Sequence, residues 1–130
     1  MIIGIGMDMV EMDRVRQILA KPEGERFLMR VLSPREREAA ARFANSLRLA
    51  EYVAGRFAAK EAVAKALGCG IGARAGFHDI AILSAEGGQP VVDISPPAKE
   101  QLGLDGSTRI HLSITHTREH AAAYAIWERV

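Results

Sequence analysis

The chain opens on an alternation of apolar and bare positions. Ile3, Ile5, Met7 and Met9 share one face of a two-residue period, while Gly4, Gly6 and Asp8 share the other. The spacing predicts a first strand over residues 1–10 with the apolar richness of a buried one. Two glycines weaken a strand and mark close approach by a ligand or another backbone. Asp8 then either ends a bare face that meets a bulky polar ligand or caps the helix that follows. That helix is predicted near Glu11 to Ala20, with Val15, Ile18 and Leu19 on its apolar side and Pro22 ending it. A short helix around Glu25 to Val31 comes next. Ser33-Pro34 reads as the N-cap and first position of a further helical segment rich in Arg and Glu.

From about Asn45 to Leu67 the pattern is that of a long helix stopped by Gly68. Ala50, Ala54, Ala58, Ala62 and Ala66 recur at every fourth position, a strip of small side chains that lets a neighbouring element come close. Gly68-Cys69-Gly70-Ile71-Gly72 follows as a flexible or tightly turned loop, and then the period changes. His78 to Leu83 and Val91 to Ile94 flank the turn Glu86-Gly87-Gly88-Gln89 and read as a hairpin. Pro96-Pro97 starts a short helix through Leu102. Arg109 to Thr115 sets Ile110, Leu112 and Ile114 against His111, Ser113 and Thr115, a half-buried strand. Ala121 to Trp127 is apolar enough for a last strand, although its alanines leave helix open. This order predicts an α+β fold, a mostly antiparallel sheet with a long central helix, and not a doubly wound parallel one. Gly4-Ile5-Gly6 does not rescue a dinucleotide fold, because the third glycine and the helix turn are missing.

Length and charge narrow the function. The 130 residues are expected to form one domain, 1–130, small enough that a substantial cofactor would bind in a cleft or between subunits. With 17 basic and 16 acidic residues the net charge is +1, and no aromatic-plus-basic platform accompanies it, so no nucleic-acid partner is expected. Cys69 is the only cysteine, which excludes an internal disulfide and suits a small packing residue in a glycine turn of a cytoplasmic protein. The apolar start lacks a basic flank and is interrupted by Asp8, and no run is long enough for a membrane span, so no membrane partner is expected.

The central helix carries charges in a run otherwise fit for burial. Glu61 and Lys65 stand one turn apart, and alone they would be a solvated pair contributing about 0.2–0.5 kcal/mol. Arg56 and Lys60 share a different side, roughly 100° round the helix, where Lys60 reads equally well as a solvated or interface charge.

Three segments together are informative: Gly4-Ile5-Gly6-Met7-Asp8 with Arg14 after it, Arg56-Phe57-Ala58-Ala59-Lys60-Glu61-Ala62 through Lys65-Ala66-Leu67-Gly68, and Ser113-Ile114-Thr115-His116-Thr117 before an alanine-rich end. In order and spacing, over nearly the whole chain, they resemble the holo-acyl-carrier-protein synthase family, the small bacterial 4′-phosphopantetheinyl transferases. The resemblance implies the 4′-phosphopantetheinyl transferase fold and an enzyme supporting fatty-acid biosynthesis. The implied reaction moves phosphopantetheine from coenzyme A to a serine hydroxyl of apo-acyl carrier protein and releases adenosine 3′,5′-bisphosphate. It further implies a homotrimer with sites between subunits.

On that resemblance Asp8 and Glu61 match the metal-binding positions, and Mg²⁺ suits two carboxylates plus substrate phosphate. Lys65 matches a phosphate-contacting lysine, Arg56 is assigned to coenzyme A, and His116 to coenzyme A or the active site. The base that accepts the serine proton is left open among a metal-bound water, Glu61 and an acid from the carrier. Arg14 matches a carrier-contacting arginine. Arg26 and Arg30 join it because base outnumbers acid near the first helices and acyl carrier proteins are acidic. Two other classes compete: a non-catalytic coenzyme A binding module would have little need for both carboxylates, and an interaction protein would leave the whole charged set idle.

Overall fold

The computed structural model describes residues 1–130. In chain order the elements are β1 (Ile2–Glu11), α1 (Met12–Ala20), α2 (Gly24–Val31), α3 (Pro34–Ala40), α4 (Ser46–Ala66), β2 (Ile80–Ser84), β3 (Pro90–Ile94), α5 (Pro96–Leu102), β4 (Thr108–His116) and β5 (His120–Arg129). A single 3₁₀ turn, Phe77–Asp79, leads into β2. The predicted elements all occur, and the alanine-rich end is a strand. Local chemistry sets several boundaries. Asn45 caps α4 by accepting from the backbone N–H groups of Leu47 at 2.8 Å and Arg48 at 3.4 Å. Ser95 Oγ accepts from Ala98 N at 3.3 Å, and Gly103, at φ 66°, closes α5 in the left-handed conformation that glycine adopts without penalty.

The main sheet is antiparallel in the order β1-β5-β4, and β2-β3 form a separate antiparallel hairpin. Register fixes two faces. Rows Gly6–Ala125–Leu112 and Asp8–Ala123–Ile114 look toward α4, while rows Ile5–Ile126–His111 and Met7–Tyr124–Ser113 look away from it. The α4 alanine strip lies against the first of these faces: Ala50, Ala54, Ala58, Ala62 and Ala66 are all buried. Here the two N-terminal glycines find their reason. A Cβ on Gly6 would lie 1.9 Å from the Ala62 carbonyl oxygen, and one on Gly4 1.9 Å from that of Ala66. The close approach predicted at this face is therefore by helix backbone.

Two expectations change. The Ile3, Ile5, Met7 and Met9 face is exposed in the single chain, because α4 occupies the glycine face and nothing within the chain covers the other. Asp8 caps nothing. Glu11 stands at the N-cap of α1, without a side-chain capping bond, and the Met12 amide is instead satisfied by the Glu119 carbonyl at 2.8 Å. No helix is long and apolar enough to cross a membrane.

Candidate active site

Asp8 projects from β1 toward α4, two residues past Gly6 on the same face of the strand. Lys65 reaches across from the helix, with Nζ 3.2 Å from Asp8 Oδ1 and donating also to the Met7 carbonyl at 3.1 Å. Glu61, one turn earlier, is half-buried beside them. Its carboxyl is raised above the ordinary glutamate range, first by burial and then by the Asp8 charge, while Lys65 partly offsets both. Asp8 and Glu61, fifty-three positions apart in the chain, thus face one another closely enough to repel. The Glu61–Lys65 pair that spacing alone suggests gives way to an Asp8–Lys65 pair.

These two acids open onto a cleft of about 450 Å³ between β1, α1, α2 and α4. Its floor is apolar, with Val10, Val15, Ile18, Phe27 and Phe57, and its rim carries Arg14 and Arg30 together with Glu11. Phe27 stacks on Phe57 with ring centroids 6.2 Å apart, and Arg30 lies over Phe27 at 5.8 Å. A shallower neighbouring recess adds Arg26 beside Phe27 and Arg30. The three candidate arginines therefore surround the mouth of the Asp8–Glu61 site. The apolar floor is absent from the sequence reading. Val15 and Ile18 were legible only as a helix side that wants covering; packing buries Val15 and leaves Ile18 half-buried at the cleft.

Arg56 and His116 lie elsewhere. The Arg56 guanidinium stacks over Tyr52 at 4.5 Å and donates to Ser84 Oγ at 3.1 Å, and its Nε has no partner. It lines a separate polar recess with Arg35, Arg42 and Ser84. His116 ends β4, with Nε2 3.8 Å from a Glu51 carboxylate oxygen of α4. Asp8 and His116 share the α4-facing side of the sheet, but on opposite edge strands with β5 between them. Two strand spacings separate them by about 10 Å, and α4 lies over the gap. One chain does not bring them together. Of the remaining histidines, His78 Nε2 meets the Met29 carbonyl at 2.7 Å and His111 Nε2 meets Glu128 at 2.8 Å.

Lys60 is a correction. It is neither solvated nor at a surface: its ammonium is fully buried against the equally buried Glu36 carboxylate at 2.5 Å. Burial pulls the Lys60 ammonium below the ordinary lysine range, and Glu36 works against that shift. Glu36 was readable in part, since Ser33-x-x-Glu36 is the spacing of a capping box, and its Oε1 does accept from Ser33 N at 2.8 Å. Nothing in the spacing shows that the same carboxylate also meets Lys60.

The fold that carries these side chains has counterparts among known proteins. The family model for the ACPS 4′-phosphopantetheinyl transferase superfamily matches residues 4–125. The chain belongs to that superfamily. As a phosphopantetheinyl transferase it is 44% identical over 130 residues to the holo-[acyl-carrier-protein] synthase of Halalkalibacterium halodurans, covering 100% of this chain and 98% of that one. The crystal structure of a holo-(acyl-carrier-protein) synthase from Bacillus anthracis in complex with CoA (3′,5′-ADP) is similar with a TM-score of 0.83 and 38% identity, over 100% of this chain and 99% of the other. That of Neisseria meningitidis gives a TM-score of 0.87 at 33% identity, over 99% and 100%. The α+β transferase fold expected from the sequence is the one found.

Proposed function

We propose that this transferase is a holo-acyl-carrier-protein synthase, moving phosphopantetheine from coenzyme A to the serine of an apo-acyl carrier protein, with Asp8, Glu61 and Lys65 at the reacting diphosphate. The observation that carries the assignment is the convergence of Asp8 and Glu61, with Lys65 bonded to Asp8, at the edge of a cleft whose rim is basic. Two neighbouring carboxylates, with burial and the Asp8 charge raising the Glu61 carboxyl above its ordinary range, fit a divalent cation, because the cation removes the repulsion. The chain nowhere gathers three His, Cys, Asp or Glu side chains into a metal-holding group, which leaves room for waters and substrate oxygens in the shell that Mg²⁺ prefers. When bound, such a cation supplies charge neutralisation on the diphosphate oxygens.

In the transfer, the carrier serine oxygen gives up its proton, to Glu61 or to an acid of the carrier, and forms a bond to the phosphorus bearing the pantetheine arm, while that phosphorus loses its bond to the bridging oxygen, which leaves with adenosine 3′,5′-bisphosphate. Lys65 is held over Asp8 by two acceptors, so its ammonium is oriented before substrate arrives and has a hydrogen left to donate to a diphosphate oxygen. Arg14, Arg26 and Arg30 meet the acidic face of the carrier, and the Phe27–Phe57 floor takes an apolar side chain from it.

The same proposal includes a homotrimer in the cytoplasm, with the whole chain acting as one domain. Ile5, Met7 and Met9 are 57%, 47% and 56% exposed on one sheet face, a continuous apolar surface that a second chain would cover. Shared sites also account for the separation of Arg56 and His116 from Asp8: a coenzyme A laid between two chains meets the carboxylates of one and the Arg56 and His116 edge of the next. The Arg56 guanidinium at that edge, held over Tyr52, suits a phosphate there.

The test is to incubate the protein with apo-carrier, coenzyme A and Mg²⁺ and to weigh the carrier. Addition of phosphopantetheine that is abolished by chelator, and lost in Asp8→Ala and in Glu61→Ala, is expected. An unmodified carrier despite tight coenzyme A binding would leave only a binding module.

A further inference from the structure

Lys60 uses each of its three N–H donors inside the protein. They go to the Val31 carbonyl at 2.6 Å, Glu36 Oε1 at 2.5 Å and the Phe77 carbonyl at 2.8 Å. The Glu36 carboxylate accepts in addition from Ser33 N at 2.8 Å and Ile82 N at 2.7 Å. One buried point therefore joins the last carbonyl of α2, the start of α3, the turn before β2, β2 itself and the middle of α4. Neither side chain reaches the cleft. Stability alone does not call for this arrangement, since apolar residues of similar volume replace many buried ion pairs without loss. A pair with fixed backbone partners restricts orientation instead.

The neighbours of the tied atoms make that restriction relevant. Lys60 immediately precedes Glu61 on α4, and Val31 immediately follows Arg30 on α2. The Lys60–Val31 bond thus links the backbone beside the cleft's carboxylate to the backbone beside its basic rim, and Phe27 and Phe57 meet between the same two helices. We propose that Lys60, acting with Glu36, is a positioning residue that sets the roll of α4 against α2, so that Glu61 and the carrier-facing side of the cleft keep one register. The inference rests on the assignment of Asp8 and Glu61 to the reaction. A roll of α4 displaces Glu61 relative to a carrier docked on α1 and α2, and displacements of about 1 Å at a reacting centre cost up to about 100-fold in rate.

The test replaces the pair without leaving a lone buried charge. In Lys60→Met/Glu36→Gln the Gln oxygen keeps one of the two backbone N–H partners of Glu36, no charge is left buried, and the tie to α4 is lost. In the folded trimer or monomer, as melting shows, kcat is expected to fall about tenfold while KM for coenzyme A and for carrier each stay within about threefold. Glu36→Asp keeps both charges and shortens the reach, and a kcat loss of about threefold is expected from it. Ile94→Ala, a core truncation in β3, serves as the comparison: it lowers the melting temperature but leaves kcat in place. Unchanged kcat in folded Glu36→Asp and double variants overturns the proposal, as does an equal kcat loss in Ile94→Ala. Glu61→Ala, run in the same assay, separates the two readings: full activity there removes the site assignment itself.

Discussion

Lys65 sits one turn from Glu61 on α4, yet its ammonium bonds to Asp8 and to the Met7 carbonyl of β1. An i,i+4 pair contributes about 0.2–0.5 kcal/mol on an exposed helix, too little to hold a long side chain when a carboxylate and a carbonyl converge on it from the sheet. Arg14 shows the same dependence on surroundings. On α1 it is one of several exposed charges, and at the cleft rim it stands over an apolar floor beside Arg30. Arg14→Glu is therefore expected to raise the KM for carrier by about tenfold or more while leaving that for coenzyme A nearly unchanged, with the effect fading at high salt. Steady-state kinetics at two ionic strengths check this, and equal effects on both substrates would take Arg14 off the docking surface. At this scale the motifs singled out Asp8, Glu61, Lys65 and Arg14 as candidates, and packing sets the first three side by side with Arg14 at the cleft they open onto. It misjudged Lys60, because a single helix pattern does not reveal which outward positions a neighbouring helix will bury.

Among elements, the contact of β1 with α4 decides where the site lies. Gly4 and Gly6 let the helix backbone come within contact of the strand backbone, and Asp8, the next residue on that face, is the first with a side chain that must go elsewhere. A Gly6→Ala methyl would fall 1.9 Å from the Ala62 carbonyl oxygen and 2.6 Å from Ala66 N, both backbone atoms that move only with the helix. Overpacking of this kind costs about 1–3 kcal/mol. A drop of that size in chemical denaturation is expected, together with a larger loss of activity than of stability, since the helix that shifts carries Glu61 and Lys65. Thermodynamic stability unchanged within error would show that the contact is slack. The elements themselves were legible: Pro96 and Gly103 bracket α5, Gly68 follows α4, and alternation marks β4. The face that β1 buries was not. Ile3, Ile5, Met7 and Met9 are the more apolar set, and only the helix shows that smallness, not hydrophobicity, selected the inner face.

For the whole molecule, the proposed trimer rests on the exposed β1 face and on the distance of His116 from the carboxylates. Met7 lies in the middle of the apolar face, paired across the sheet with the exposed Tyr124, and touches neither the cleft nor the core. Met7→Glu is expected to keep the fold of the single chain, to convert a trimer to monomers in equilibrium sedimentation, and to abolish transfer even though Asp8, Glu61 and Lys65 are untouched. A monomer with full activity would mean that each chain holds a complete site. Chain order, the spacing of small and charged residues and the positions of Gly and Pro fixed the elements, the α+β class and the family, because these depend on local backbone preferences and on motifs that are contiguous in the chain. The tertiary structure decided the rest: that Asp8 faces Glu61, that Lys65 leaves Glu61 for Asp8, that Lys60 is buried on Glu36, and that His116 stands apart from the carboxylates. Each of those is a contact between residues more than twenty positions apart or a separation across a sheet, and its energy depends on which surfaces the packing of α4 removes from water.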